Sequence, residues 1–128
     1  MNKEEYNNLS KQILDASIRV HKEMGPGLLE SVYETCLIQE LNIRKVKTES
    51  QVFLPLNYRG YELNKDFRLD LLIENEIIIE IKAVEVLLPV HEAQIISYLK
   101  LADKRLGFLI NFNVPLLKNG FKRFVNNF

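Results

Sequence analysis

The sequence predicts an α/β sandwich in which helices pack on a mixed β-sheet. Three observations support this prediction: apolar residues first recur at helical spacing, then alternate with the period of two that is typical of strands, and return to a helical stretch and a strand after Pro89. The chain has 128 residues, which suits one domain, 1–128, built on one hydrophobic core.

Two helices are expected before the sheet and one within it. The first runs from about Glu4 to Met24, and Gly25-Pro26-Gly27 ends it because Gly and Pro terminate helices. The second covers about Leu29–Arg44. After Pro89, residues Val90–Lys104 form the third predicted helix.

Three antiparallel strands are expected between the second and third helices. Turns at 58–61 and 74–76 separate them, and strict alternation in the middle strand places Leu69 and Leu71 on one face and Asp70 on the other. The predicted strands are those around 52–56, 67–73 and 76–84, followed after the third helix by Leu106–Phe112 and Phe121–Val125.

The most strand-like run of the chain, IIIEIKAV, contains Glu80 and Lys82. If the preceding hairpin is centred on Asn75 with three loop residues, Asp70 lies opposite Glu80, and Arg68 lies opposite Lys82. Directly opposed Cβ atoms are roughly 4.5–5.5 Å apart, so two ionised carboxylates repel each other unless a cation lies between them. Since Mg²⁺ takes oxygen ligands, often one or two carboxylates with water, this register favours a metal site.

A second interpretation of the same four charges stays open. Arg68, Asp70, Glu80 and Lys82 also suit a cross-strand ladder of salt bridges, worth a few tenths of a kcal/mol per pair. The register favours a metal site over a ladder because a ladder more naturally opposes unlike charges.

Composition limits the class of protein. The chain has 17 basic and 17 acidic residues, a pI of about 6.7 and 47% apolar residues, so its net charge gives no support to nucleic-acid binding. Its beginning is polar, and no apolar run approaches the ~18 residues of a membrane span, so neither a signal peptide nor a membrane segment is expected. Cys36 is the only cysteine, which excludes an internal disulfide or a four-cysteine cluster, and a cytoplasmic location is expected.

Residues 27–33, GLLESVY, match the G-x-x-E-x-x-Y signature, and the sequence resembles the GxxExxY proteins over nearly its whole length. The likeness continues through HKEMGPG at 21–27, LPVHEAQ at 88–94 and LINF at 109–112. That family is placed in the PD-(D/E)XK nuclease-like superfamily. The resemblance therefore implies an αβββαβ sandwich, here with an additional N-terminal helix.

The resemblance also implies a metal site. Asp70 is similar to the motif's aspartate and Glu80-Ile81-Lys82 to its (D/E)-x-K, so Asp70, Glu80 and the Ile81 carbonyl are expected to bind Mg²⁺ or Mn²⁺. Lys82 is expected to position the attacking water and to stabilise charge on the phosphate. Glu30 resembles the extra acidic residue that many members add to the metal site.

A further motif lies on the third helix. Gln94-Ile95-Ile96-Ser97-Tyr98 is similar to the Q-x-x-x-Y motif of the superfamily's exonuclease-like branch, and His91 precedes it by one turn. Gln94 is expected to act with the catalytic lysine, whereas Tyr98, His91 and Arg68 are candidates for contact with DNA. Tyr33, by contrast, is expected to be a core aromatic residue whose hydroxyl has a partner.

The sequence thus predicts a Mg²⁺- or Mn²⁺-dependent nuclease that hydrolyses DNA phosphodiester bonds. One alternative is a non-cleaving nucleic-acid- or protein-binding module on the same fold, and another is a structural subunit whose charged hairpin is a salt-bridge ladder. Retention of Asp70, Glu80, Lys82 and Gln94 together favours chemistry over both. The small size and neutral charge favour help with substrate affinity from a homodimer or a protein partner.

Overall fold

The structure of the protein is a computed structural model that describes the side chains of residues 1–63 and 67–128. The predicted αβββαβ order with an additional N-terminal helix is confirmed. The elements are α1 Lys3–Met24, α2 Glu30–Ile43, β1 Thr48–Tyr58, β2 Tyr61–Ile73, β3 Ile77–Lys82, α3 Pro89–Leu101, β4 Leu106–Asn111, a 3-10 turn Leu117–Gly120 and β5 Phe121–Val125.

The five strands form one sheet in the order β1-β2-β3-β4-β5. All neighbours are antiparallel except β3 and β4, which run parallel and are joined through α3, as a parallel pair requires a crossover. Helices α1 and α2 cover one face, where Ile13, Leu37 and Ile79 belong to the larger buried cluster. Helix α3 covers the other face, where Leu99 packs with Ile78. In the described part of the chain, no helix is long and apolar enough to cross a bilayer.

The predicted register of the β2–β3 hairpin is confirmed. Ile73 pairs with Ile77 and Leu71 with Ile79, and the three loop residues between the strands are centred on Asn75. Glu74 and Asn75 take left-handed φ angles of 51° and 57°, which close the short loop.

The backbone ladder between β2 and β3 stops at Leu71 and Ile79. The expected Arg68–Lys82 pair, like Asp70–Glu80, lies beyond the last ladder pair, so its opposition stays a prediction. Asp70 immediately precedes Leu71 in β2, and Glu80 immediately follows Ile79 in β3, so both lie just beyond the last ladder pair. The hairpin thus places the two acidic residues where backbone pairing between β2 and β3 ends.

The expectation that Leu69 and Leu71 share a face is wrong. Leu71 lies in the cluster under α1 and α2, whereas Leu69 lies in the cluster under α3. Two leucines separated by one residue occupy opposite faces only if the pleat is interrupted between them, and that residue is Asp70.

The interruption extends to the neighbouring strand. Pairs Ser50–Leu71 and Val52–Leu69 flank it, which places Gln51 opposite Asp70, and Gln51 has a left-handed φ of 51°. A left-handed residue within a strand breaks the regular alternation of side chains. The local backbone distortion thus turns both Gln51 and Asp70 towards α2, where they line a common cavity.

The loop between α1 and α2 is held by Tyr33, which is fully buried. Its hydroxyl donates to the Gly25 carbonyl at 2.6 Å and accepts from the Leu28 N–H at 3.1 Å, and its ring stacks on Phe112 with centroids 4.7 Å apart. The expected role as a core aromatic residue is confirmed. Since this loop leads directly into α2, Tyr33 fixes the start of the helix that carries Glu30.

Candidate active site

Two carboxylates take the place of backbone partners where the β2–β3 ladder ends. The Asp70 N–H donates to Glu80 Oε2 at 2.8 Å, and the Ile81 N–H donates to Asp70 Oδ2 at 2.8 Å. Each acidic side chain therefore binds the backbone of the opposite strand. This reciprocal arrangement holds Asp70, Glu80 and the backbone of Ile81 together in one place.

Burial makes both carboxylates hard to ionise. Only 4% of Glu80 is exposed, and burial, reinforced by the charge of Asp70, raises the pKa of Glu80 to about 8. Burial also raises the pKa of Asp70, although the Ile81 N–H and the Lys82 charge act in the opposite direction. Without a cation the site therefore favours the protonated form of Glu80, whereas a bound cation would favour the ionised form of both carboxylates.

Lys82 lies at the end of β3, in parallel register with Asn111 of β4. The buried Asn111 amide binds the chain just beyond Lys82, with Nδ2 donating to the Val84 carbonyl at 2.9 Å and Oδ1 accepting from the Val84 N–H at 3.1 Å. Because both polar atoms of the Asn111 side chain are hydrogen-bonded to Val84, Asn111 holds the segment that follows Lys82 in one conformation. Sequence reasoning assigned no role to Asn111.

Among the described residues, the part of the salt-bridge ladder that involves Lys82 is not formed. The charge of Lys82 lowers the pKa of both Asp70 and Glu80, as a nearby cation does. Among the ion pairs between described residues, however, none joins Lys82 to either carboxylate within 4.0 Å. The two carboxylates instead accept hydrogen bonds from the backbone.

A cavity of about 220 Å³ opens from this point towards α2 and is lined by Glu30, Glu34, Gln51, Asp70 and their neighbours. Glu30, a predicted site residue, is thus brought to the same cavity as Asp70. Glu34 was missed, although its spacing of four residues from Glu30 on a helix was a signal available in the sequence. Burial and the nearby Asp70 charge raise the pKa of Glu34.

Gln51 is the second missed residue. Its side-chain amide donates to Glu34 Oε1 at 2.9 Å, and its hydrogen bond also lowers the pKa of Asp70. Gln51 therefore links the acidic face of α2 to the carboxylate on β2. No sequence signal identified it, because its orientation depends on the interruption of the pleat described above.

The Gln94–Tyr98 pair lies on the α3 side of the site. Tyr98 is buried, and this burial raises its pKa, with a further rise caused by the Glu80 charge and an opposing hydrogen bond from Gln94. The predicted helical pair is thus formed, and it adjoins the carboxylate of β3. Gln94 and Tyr98 also line a second cavity, between α3 and the β1–β2 hairpin.

His91 and Arg68 have other surroundings. His91 Nδ1 accepts a hydrogen bond from the Leu88 N–H at 3.0 Å, which caps the start of α3. Arg68 is exposed on β2 and pairs across the ladder with Phe53. The hydrogen bond of His91 thus joins it to the start of its own helix and not to Asp70, Glu80 or Ile81.

The donor set fits a hard divalent cation only in part. The carboxylates of buried Glu80 and half-buried Asp70 are the type of ligand that Mg²⁺ and Mn²⁺ prefer. Within the residues whose side chains are described, no three His, Cys, Asp or Glu residues are grouped so as to hold a metal ion. Two carboxylates, a backbone carbonyl and water are therefore the donors that suit this site, since Mg²⁺ commonly keeps several waters.

Comparison with models of protein families matches residues 7–124 to a family described as the PD-(D/E)XK nuclease superfamily. The matched region contains all the residues of the candidate site. Searches of curated proteins and of solved structures gave no match.

Proposed function

Because this chain belongs to the PD-(D/E)XK nuclease superfamily, we propose that it is a metal-dependent deoxyribonuclease that hydrolyses DNA phosphodiester bonds. Proteins of this superfamily generally use divalent metal ions and act on nucleic acid. Within the superfamily, the Gly27–Tyr33 signature supports a place among the GxxExxY proteins, and a cytoplasmic location is part of the same proposal.

The observation that carries the proposal is the reciprocal hydrogen bonding of Asp70 and Glu80 across the end of the β2–β3 ladder. Placing two carboxylates side by side in a largely buried site destabilises a protein unless a cation or protonation compensates, and a bound metal ion would supply that compensation. Asp70, Glu80 and the Ile81 carbonyl would hold Mg²⁺ or Mn²⁺, with Glu30 or Glu34 reached through water across the cavity. When bound, such an ion polarises a phosphoryl oxygen and lowers the pKa of a coordinated water.

The other groups of the site act on the phosphate and the attacking water. The Lys82 ammonium, whose charge acts on both carboxylates, would hold that water and stabilise charge that develops on the phosphate. The Gln94–Tyr98 pair supplies hydrogen-bonding groups on the α3 side, next to Glu80. These roles are the part of the proposal that mutation tests directly.

Metal binding is the first testable consequence. Mg²⁺ or Mn²⁺ that binds only the folded protein is expected to raise the melting temperature progressively with metal concentration, and Asp70→Asn is expected to abolish that rise. Thermal denaturation with and without EDTA measures it. Asp103→Asn is a matched control, because Asp103 is exposed and its left-handed φ of 53° is one that Asn also adopts. Equal shifts in wild type and Asp70→Asn would place the ion elsewhere.

DNA affinity is the second testable consequence. With 17 basic and 17 acidic residues, the catalytically disabled Asp70→Asn protein is expected to bind short duplex and single-stranded DNA weakly, with a shallow dependence on salt that reflects few phosphate contacts. Fluorescence anisotropy across a salt series measures both quantities. Tight binding that persists at high salt, together with no cleavage of either DNA by the wild type in Mg²⁺ or Mn²⁺, would instead identify a non-cleaving recognition module.

A further inference from the structure

Gln51 has a backbone conformation that is unusual for its place within a strand. Its φ of 51° lies in the left-handed region, which a residue with a Cβ adopts only at a cost in free energy. The other described non-glycine residues with positive φ lie in turns or beyond the ends of elements, and they are Lys45, Arg59, Glu74, Asn75, Asp103 and Asn127. Strained conformations of this kind persist where the surrounding structure holds them, and they are frequent at functional sites.

The side chain of Gln51 lies between two acidic residues that come from different elements. Its Nε2 donates to Glu34 Oε1 of α2 at 2.9 Å. A hydrogen bond from the same side chain to Asp70, which lies opposite Gln51 on β2, lowers the pKa of that carboxyl group. An ionised carboxylate only accepts hydrogen bonds, whereas the amide NH₂ has two donors and no charge. Gln51 can therefore serve both carboxylates at once.

The Asp70 carboxylate is held from its other side by strand β3. The Ile81 N–H donates to Asp70 Oδ2 at 2.8 Å, so hydrogen bonds reach this carboxylate from β3 and from Gln51 of β1. An aspartate side chain turns about two bonds, and a metal ligand has to keep an oxygen directed at the ion. Partners that orient a ligating carboxylate in this way commonly set the metal affinity of a site.

Gln51 also distinguishes between the two acidic residues of α2 that line the cavity. Glu30 is exposed, whereas Glu34 is half-buried and accepts the hydrogen bond from Gln51. The position of Glu34 relative to Asp70 is thus fixed through a single side chain. Glu34 is therefore the residue of α2 that this arrangement holds in place across the cavity from Asp70.

Resting on the proposed metal-dependent function, we propose that Gln51 is a positioning residue of the metal site. Its amide ties the Asp70 carboxylate of β2 to Glu34 of α2. Asp70 then keeps the orientation in which it would bind the ion, and Glu34 stays where it would accept a hydrogen bond from a water on that ion. Gln51 acts through these two residues and not on the phosphate.

Binding of Mn²⁺ to the full chain tests this role without cleavage, because electron paramagnetic resonance measures the free ion directly. Gln51→Met and Gln51→Gly both remove the amide. Methionine keeps the length of the side chain on the strained backbone, whereas glycine adopts a left-handed φ without that strain. Both variants are expected to bind Mn²⁺ roughly 10–100-fold more weakly than the wild type, the range typical for loss of a partner that orients a metal ligand.

The stability of the metal-free protein separates positioning from a structural role. Gln51 is exposed, so the melting temperature of both variants in EDTA is expected to stay within a few degrees of the wild-type value. Asn127→Gly is the matched control, because Asn127 is also an exposed amide residue, with a left-handed φ of 54°, and lies beyond the end of β5. The Asn127→Gly protein should bind Mn²⁺ as tightly as the wild type.

Several outcomes would overturn the role of Gln51. Wild-type affinity in both variants would exclude the amide, and a loss in only one of them would assign the effect to the backbone. An equal loss in Asn127→Gly, or a large fall in the melting temperature in EDTA, would show a general effect on the fold. A wild type that binds no Mn²⁺ would remove the metal site and the role of Gln51 together, whereas the other outcomes leave the proposed function standing.

Discussion

Lys82→Ala is expected to lower the rate of DNA cleavage by roughly two or more orders of magnitude, the scale seen when a positioned group that stabilises the transition state is removed. The substitution removes a cation without removing a metal ligand. The rise in melting temperature caused by Mg²⁺ or Mn²⁺ should therefore persist. Single-turnover cleavage of labelled DNA, with metal titrations of the same protein, measures both effects.

Two comparisons make the Lys82→Ala result specific. Glu80→Ala is expected to lose metal binding and cleavage together, because it removes a ligand. Lys104→Ala is a control for loss of a cation, since Lys104 donates to the Asn75 carbonyl at 2.9 Å and takes no part in the site. Cleavage by Lys82→Ala at the wild-type rate would show that the lysine of β3 is not catalytic.

Glu80→Gln is expected to make the metal-free protein more stable at pH 8 and to flatten the dependence of its stability on pH. The pKa of Glu80 is raised from 4.5 to about 8 by burial and by Asp70, so between these values the folded state keeps a proton that the unfolded state has released. The contribution of Glu80 to the stability of the wild type should thus be greatest below about pH 4.5, and it should fall as the pH rises to about 8. The loss is on the order of a few kcal/mol.

Urea denaturation in EDTA at several pH values from about 5 to about 9 measures this effect, because that range covers most of the Glu80 titration. Glu23→Gln is the control, because Glu23 is exposed and pairs with Arg19 on the surface of α1. The stability of the Glu23→Gln protein should depend on pH in the same way as that of the wild type. A Glu80→Gln protein that is less stable than the wild type at every pH would favour a structural ion pair.

Much of the fold follows from local patterns in the sequence. Helical spacing, the Gly-Pro-Gly stop and period-two alternation predicted the three α-helices and the five strands, although β2 begins at Tyr61, well before the predicted start at Phe67, and the 3-10 helix Leu117–Gly120 was not predicted. The three-residue loop at Asn75 set the β2–β3 register, because side chains alternate strictly on either side of a short turn. Asp70 and Glu80 were therefore identifiable as neighbours.

The sequence by itself determined the order of the elements, the hairpin register and the pairing of Asp70 with Glu80, since each depends on residues close along the chain. Only the tertiary structure decided that the ladder ends at these carboxylates and that Gln51 and Glu34 reach the same cavity. The physical reason is distance in sequence. Gln51 lies opposite Asp70 with a left-handed backbone that no local pattern predicts. The helical spacing of Glu34 from Glu30 is local, but the packing that turns this face of α2 towards Asp70 is not.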